Sequence, residues 1–229
     1  MSLKLYADFL SQPCRAVGLL LEKEAVPYDM VTVSLIKGEN KTNEEFGRVA
    51  PLKQVPAIDD KGFTLFESAA ILKYLVRAYN LPSHWYPEDV QKRARVDQYL
   101  VWQQGNIRNG LFFKKCAAPV FGLPVDQAEV DKLEGGLKAG MQFFQDYFLA
   151  GDGPFVCGSE ISIADLQAMC QISQFWIAGL KAEAFFPKIE AWMKACQNFL
   201  GKSFEKVYKT VYDLAEEGKM KGASDFKWK

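Results

Sequence analysis

Hydrophobic and polar positions change rhythm along this chain. Leu3 to Ala7 is a short, mostly apolar run that predicts a strand, and from Pro13 to Glu24 the residues Val17, Leu20 and Leu21 recur at helical spacing. Tyr28 to Leu35 carries Val31, Thr32 and Val33, a second strand. Residues 3 to 35 therefore read as a βαβ unit, whose crossover makes its two strands parallel. A long polar segment, Ile36 to Gln54, follows. Ala57-Ile58-Asp59, the turn-like Asp60-Lys61-Gly62 and Phe63-Thr64-Leu65-Phe66 then predict an antiparallel hairpin. Ser68 opens a further helix, with Ile71, Leu72 and Leu75 on one side.

The period breaks at Asn80-Leu81-Pro82-Ser83-His84-Trp85-Tyr86-Pro87, where two prolines stand close together and mark a linker. Beyond Asp89 the strand signals vanish. Val130, Leu133, Leu137, Met141, Phe144 and Phe148 advance by three or four, and Phe204, Val207, Tyr208, Val211 and Leu214 mark a last amphipathic helix. Ser162-Ile163-Ala164-Asp165 resembles a capping box at a helix start. The order βαβ then ββα is that of an α/β thioredoxin-like domain over residues 1–80; a linker over 81–87 joins it to an all-α domain over 88–229. The basic tail from Gly218 to Lys229 is left without an element.

Composition narrows the functions open to such a protein. The chain has 229 residues, 49% of them hydrophobic and 14% aromatic, enough apolar material for a two-domain core. Lys+Arg and Asp+Glu balance at 28 each, which removes the broad attraction on which most nucleic-acid and anionic-membrane binders rely, so a charged ligand must be caught locally. The first residues carry no secretory signal and no run reaches the length of a membrane span, so the cytosol is the expected compartment. Cys14, Cys116, Cys157, Cys170 and Cys196 are odd in number and widely spaced, which fits small buried residues better than a disulfide framework. With His84 as the single histidine, in an apparent loop, neither a histidine metal cluster nor a Ser-His pair is expected.

Candidate chemistry begins at Ser11-Gln12-Pro13-Cys14-Arg15, which occupies the place where thioredoxin-like redox proteins carry C-x-x-C, with serine for the first cysteine. Serine cannot lead a disulfide exchange. At a helix N-terminus its hydroxyl can donate to a thiolate brought by a ligand, or it can simply cap the helix, and these residues alone leave both readings open. Gln54-Val55-Pro56-Ala57 places a proline at a strand entrance, either cis, turning the Val55 backbone toward a peptide-like ligand, or trans at a loop end. Glu67-Ser68-Ala69-Ala70 combines a carboxylate, a hydroxyl and free backbone N–H groups. That set suits a ligand carrying carboxylate and ammonium on one carbon, although Ser68 as a plain cap explains the helix start equally well.

Taken together, Ser11-Gln12-Pro13-Cys14-Arg15-Ala16, Pro51-Leu52-Lys53-Gln54-Val55-Pro56 and Glu67-Ser68 resemble the theta-class glutathione transferases. The likeness continues through Trp85-Tyr86-Pro87, Ala94-Arg95-Val96-Asp97 and Ser162-Ile163-Ala164-Asp165-Leu166, whereas Ser34-Leu35-Ile36-Lys37-Gly38 matches loosely. The resemblance implies a homodimer with glutathione as co-substrate and no metal. It implies Ser11 as the thiolate-stabilising residue, Val55 as backbone partner of the cysteinyl moiety beside a cis Pro56, and Glu67 with Ser68 at the γ-glutamyl end. Theta enzymes commonly reach the glycine carboxylate with a histidine and a lysine; Glu39-Asn40-Lys41 stands there without the histidine, so Asn40, Lys41, Lys53 and Gln54 are the expected contacts. Arg108, placed in the first helix of the second domain, matches a theta position near the sulfur, where a guanidinium favours the thiolate. Phe112, Phe113, Phe175 and Trp176 are candidates for an apolar electrophile pocket, and Trp228 for the tryptophan that closes the pocket in many vertebrate theta proteins.

The implied activity is transfer of the glutathione sulfur to alkyl halides or epoxides, with reduction of organic hydroperoxides beside it. Two other functions fit parts of the same sequence: a thiol–disulfide oxidoreductase working through Cys14, and a catalytically silent binding protein on the same fold.

Overall fold

In the computed structural model, residues 2–218 are described, so Trp228 and the basic tail beyond Gly218 lie outside the described residues. The elements run β1 (Leu3–Ala7), α1 (Gln12–Lys23), β2 (Tyr28–Thr32), α2 (Glu39–Thr42), α3 (Glu44–Val49), β3 (Ala57–Asp60), β4 (Phe63–Phe66) and α4 (Ser68–Ala78). Helices follow: α5 (Val90–Trp102), α6 (Gln127–Phe143), α7 (Ile163–Ile172), α8 (Pro187–Leu200) and α9 (Lys202–Glu217). The strands form one sheet in the order β2-β1-β3-β4, with β1 and β2 parallel and the other pairs antiparallel. This is the expected thioredoxin-like half. Beyond Asp89 the described residues contain one isolated bridge, Phe155 to Gly158, and otherwise helices and turns.

Alternation along β1 explains how the sheet is covered on both sides. Leu3, Leu5 and Ala7 face the main core, while Tyr6 points the other way into a smaller cluster with Val33, Phe46, Val49, Ala50 and Ala57. Phe46 and Val49 belong to α3, inside the polar stretch to which the sequence reading assigned no element. The Asn43 side chain accepts the Phe46 N–H at 2.9 Å, which caps this short helix. Two inward apolar residues in six are too few to give a periodic signal, yet they cover one face of the sheet.

α1 is buried on every side from Pro13 to Leu21, because α4, α7 and α9 all pack against it. Close approach is built into its sequence: a β-carbon at Gly18 would meet the Phe9 ring at 2.7 Å. The consequence is that Arg15, one turn into α1, sits in the seam between the sheet and the later helices. α7 owes its start to Asp165, whose carboxylate accepts the Ser162 N–H at 2.8 Å and the Ser162 hydroxyl at 2.9 Å, forming the expected capping box. Asp165 also accepts the Val156 N–H and the Trp192 indole N–H, so a fully buried carboxylate knits three segments together. His84 is half-buried: its Nδ1 lies 2.7 Å from the Ile161 carbonyl and its ring stands edge-on to Phe199.

A candidate active site at the start of the first helix

The Asp8 carboxylate shapes the turn from β1 into α1. Its oxygens accept the N–H groups of Leu10 and Leu35, each at 2.9 Å, and its carbonyl accepts the Ser11 N–H at 2.9 Å. Ser11 takes the extended N-cap conformation, φ −81° and ψ 129°, yet its side chain makes no cap hydrogen bond. Part of the reason lies in the sequence, since Pro13 removes one of the two N–H groups that a cap hydroxyl ordinarily reaches. Ser11 is half-buried and lines a cavity of about 710 Å³ between the α/β half and the helices.

Cys14, one turn further along, is wholly buried, and burial pushes its thiol up to about 12, a rise that the nearby Asp8 backbone and Ser11 hydroxyl ease without reversing. Such a thiol is neither accessible nor ionised at neutral pH. It is a poor candidate for disulfide exchange.

A second, smaller hollow of about 40 Å³ adjoins the start of α4, with Gln54, Val55, Pro56, Glu67 and Ser68 around it. The Val55–Pro56 bond is cis. Glu67 adopts φ 71°, uncommon for a side chain with a β-carbon, and its side chain is exposed beside the first N–H groups of α4. Ser68 is buried, and its Oγ accepts a hydrogen bond from Gln167 Nε2 at 2.8 Å. Arg108 lines both this hollow and the large cavity. It does not lie in a helix, as expected from sequence, but in the irregular turn after α5, where its N–H donates to the Gln103 carbonyl at 2.9 Å. Ending α5 at Trp102 leaves the arginine outside regular structure and exposed toward the cavity.

Asn40 and Lys41 stand at the mouth of the large cavity, while Lys53 is set back and braces them. Lys53 Nζ donates to the Lys41 carbonyl at 2.9 Å, and Asn40 Nδ2 donates to the Lys53 carbonyl at 3.0 Å. Phe112, Phe113 and Phe175 line the apolar wall, Phe112 meeting Phe175 edge to face at 5.7 Å. Trp176 does not line it. Its indole N–H is held by the buried Glu183 carboxylate and its ring stacks on Tyr212, so it belongs to the packing of α9. Sequence reasoning missed Gln171 and Gln174, which also line the cavity. A signal was there: Gln167, Gln171 and Gln174 recur at helical spacing in a stretch otherwise fit for a core.

Known proteins resemble this chain in sequence and in fold. The family model for the glutathione S-transferase N-terminal domain matches residues 1–77, and that for the C-terminal domain matches residues 100–198. Glutathione S-transferase theta-3 of Mus musculus is 40% identical over 216 residues, covering 92% of this chain and 89% of the relative. The chain belongs to the glutathione S-transferase family, theta class. Theta-1 of Homo sapiens is 39% identical over 216 residues, again 92% of this chain and 89% of the relative. Among solved structures, a human theta-class transferase in complex with the glutathione conjugate of 1-menaphthyl sulfate superimposes with a TM-score of 0.89 at 32% identity, covering 97% of this chain and 93% of the other. Human theta-2 in complex with glutathione and an unknown ligand gives a TM-score of 0.88 at 32% identity, covering 94% and 90%. This theta-class chain is therefore a transferase enzyme, and the hollow beside α4 and the large cavity are its candidate subsites.

Proposed function

We propose that this transferase binds glutathione along residues 1–80 and delivers its thiolate, held by Ser11, to small apolar electrophiles in the large cavity, which the helical region from residue 88 onward closes behind the linker 81–87. The observation that carries the reading is the Ser11 hydroxyl at the start of α1, which makes no helix-cap bond and lies in the wall of a largely apolar cavity that also receives Arg108.

The remaining assignments follow from charge and shape. Glutathione is a net anion and this chain has no net charge, so its carboxylates need local donors. Ser68 and the N-terminal N–H groups of α4 take the γ-glutamyl carboxylate and Glu67 the neighbouring ammonium. The Val55 backbone beside cis Pro56 pairs with the cysteinyl unit, and Asn40 and Lys41, braced by Lys53 and joined by Gln54, take the glycine end. A free thiol titrates near 8.5, and lowering that by about two units takes roughly 2.7 kcal/mol of preferential thiolate stabilisation. Ser11, the helix N-terminus and Arg108 supply it together. The apolar wall favours electrophiles such as alkyl halides, epoxides and organic hydroperoxides.

We further place the protein in the cytosol as a homodimer acting in detoxification. Free thiols at Cys14, Cys116, Cys157, Cys170 and Cys196 support a reducing compartment. The exposed Val101, Phe143 and Tyr147 on neighbouring helices support a partner surface. Assaying a panel of electrophiles with and without glutathione tests the activity. No glutathione-dependent product from any halide, epoxide or hydroperoxide would overturn the substrate class, and sedimentation as a monomer would overturn the dimer.

A further inference from the structure

Three glutamines recur at steps of four and three along α7 and the tighter turn that continues it, so they share one side of a segment otherwise buried among apolar neighbours. The two outer ones cross to the α/β half and end on opposite parts of the glutathione site. Gln167, 5% exposed, donates to Ser68 Oγ at 2.8 Å. Gln174, 2% exposed, donates from Nε2 to the Leu10 carbonyl at 3.2 Å and accepts from Arg15 Nη2 at 2.5 Å. Arg15 is fully buried and directs its other hydrogen bonds to the carbonyls of Phe9, Leu10 and Cys170, at 2.8, 3.1 and 3.1 Å. The two residues before Ser11 are thus held by their carbonyls, both by Arg15 of α1 and Leu10 also by Gln174 in the turn after α7.

The direction of each bond matters more than its presence. A hydroxyl has one hydrogen to give and two lone pairs to receive. Because Gln167 fills an acceptor position of Ser68, the Ser68 hydrogen is left to point elsewhere, and the carboxylate proposed for this hollow is the acceptor that would use it. At the other end, holding Phe9 and Leu10 by their carbonyls restricts the backbone that aims Ser11. We propose that Gln167 and Gln174 are positioning residues of the glutathione site, Gln167 orienting Ser68 as a donor for the γ-glutamyl carboxylate and Gln174, with Arg15, fixing Ser11 against the sulfur. This rests on the glutathione placement given above. It makes the helical region part of glutathione recognition as well as the wall of the electrophile cavity.

Kinetics on Gln167→Met, Gln167→Glu, Gln174→Met and Ser68→Ala test it, with KM for glutathione, kcat, thermal stability and the ultraviolet absorbance of bound thiolate measured on each. Gln167→Met keeps length and loses the donor; it raises KM about tenfold with little change in kcat. Gln167→Glu keeps the shape and accepts the Ser68 hydrogen, so it raises KM at least as much. Gln174→Met lowers kcat about tenfold and weakens the thiolate absorbance, with the smaller effect on KM. If the glutamine variants lose only thermal stability, with KM and kcat per folded molecule intact, both residues are packing contacts and the proposal is wrong. It is equally wrong if both positions move the same kinetic constant. Ser68→Ala separates the two levels: a raised KM there with an unchanged KM in Gln167→Glu rejects the orienting role alone, and an unchanged KM in Ser68→Ala rejects the γ-glutamyl assignment and the proposal with it.

Discussion

Two serines precede two helices in this protein, and they are used in opposite ways. Ser162 is 1% exposed, and both its N–H and its hydroxyl are bound by Asp165 at the start of α7. Ser11 has the same extended N-cap backbone at the start of α1 but makes no cap bond, stands half-buried, and faces a cavity. The difference comes from the residues that follow. Three positions after Ser162 comes an aspartate that can close the box, whereas after Ser11 come a proline with no N–H and then a cysteine. The same residue type therefore closes a helix cap in one place and lines a cavity without capping in the other.

The contrast breaks most visibly at Asp165. Asp165→Ala leaves four donors without their acceptor inside the protein, and hydrogen bonds to a buried carboxylate of this kind make the expected loss about 3 kcal/mol or more of stability. Turnover per folded molecule is expected to survive. Denaturant titration together with activity normalised to folded protein checks both halves, and a stable but inactive variant would give α7's start a chemical role that the comparison denies it.

Ser11→Ala is the mirror experiment. Losing a donor aimed at a developing or held anion costs roughly 2.7 to 4 kcal/mol, so turnover falls about a hundredfold while glutathione still binds. Stability changes by less than about 0.5 kcal/mol, because no cap bond is lost. A drop in thermal stability of the size expected for a cap, with turnover intact, would return Ser11 to the same class as Ser162.

A smaller effect is expected at the glycine end. Lys41→Ala or Lys53→Ala raises KM for glutathione several-fold, more than it lowers kcat, since an exposed cation contributes to binding about equally before and during reaction. Lys53 holds the Lys41 carbonyl, so the double substitution is expected to fall short of the product of the single effects. Steady-state kinetics on the three variants decides this, and KM values indistinguishable from the parent would remove both lysines from the site.

Much of this could be read from the chain because local signals agreed with one another. The strand at Leu3–Ala7 and the hairpin at 57–66 emerged where expected, as did the capping box at Ser162, since each depends on neighbours within a few residues. What escaped was decided across space. The covering role of Phe46 and Val49 depends on β1 being buried on both faces, and the exclusion of Trp176 from the cavity depends on Glu183 and α9. Arg108 was assigned to a helix and lies in the turn beyond it, lining both hollows, because the residue type announces a charge but not where α5 stops. Gln167 and Gln174 were legible as a period and not as a function, for nothing in the sequence says that Ser68 and Leu10 lie opposite them.

Cys14 gives the smallest effect and the cleanest control, because it shares the start of α1 with Ser11 and differs in being wholly enclosed. The thiol that reacts belongs to the ligand, so Cys14→Ala leaves turnover per folded molecule nearly unchanged, and the folded protein resists thiol alkylation at neutral pH. The sign of the pH effect follows from burial. The folded thiol is pushed up to about 12 and an unfolded one titrates near 8.5, so the unfolded chain gives up its proton first as the solution becomes alkaline. Whatever stability the buried neutral thiol contributes is therefore fully present below about 8.5 and is lost progressively as pH rises toward about 12. Other buried thiols and phenols share that trend, which is why the comparison is between the parent and Cys14→Ala over the same range. The variant is expected to lose stability less steeply with rising pH while its conjugation activity stays with the parent's. Loss of activity in a folded Cys14→Ala protein, with mixed disulfides forming on the parent's Cys14 at neutral pH, would instead make this turn a redox site and place Ser11 in its service.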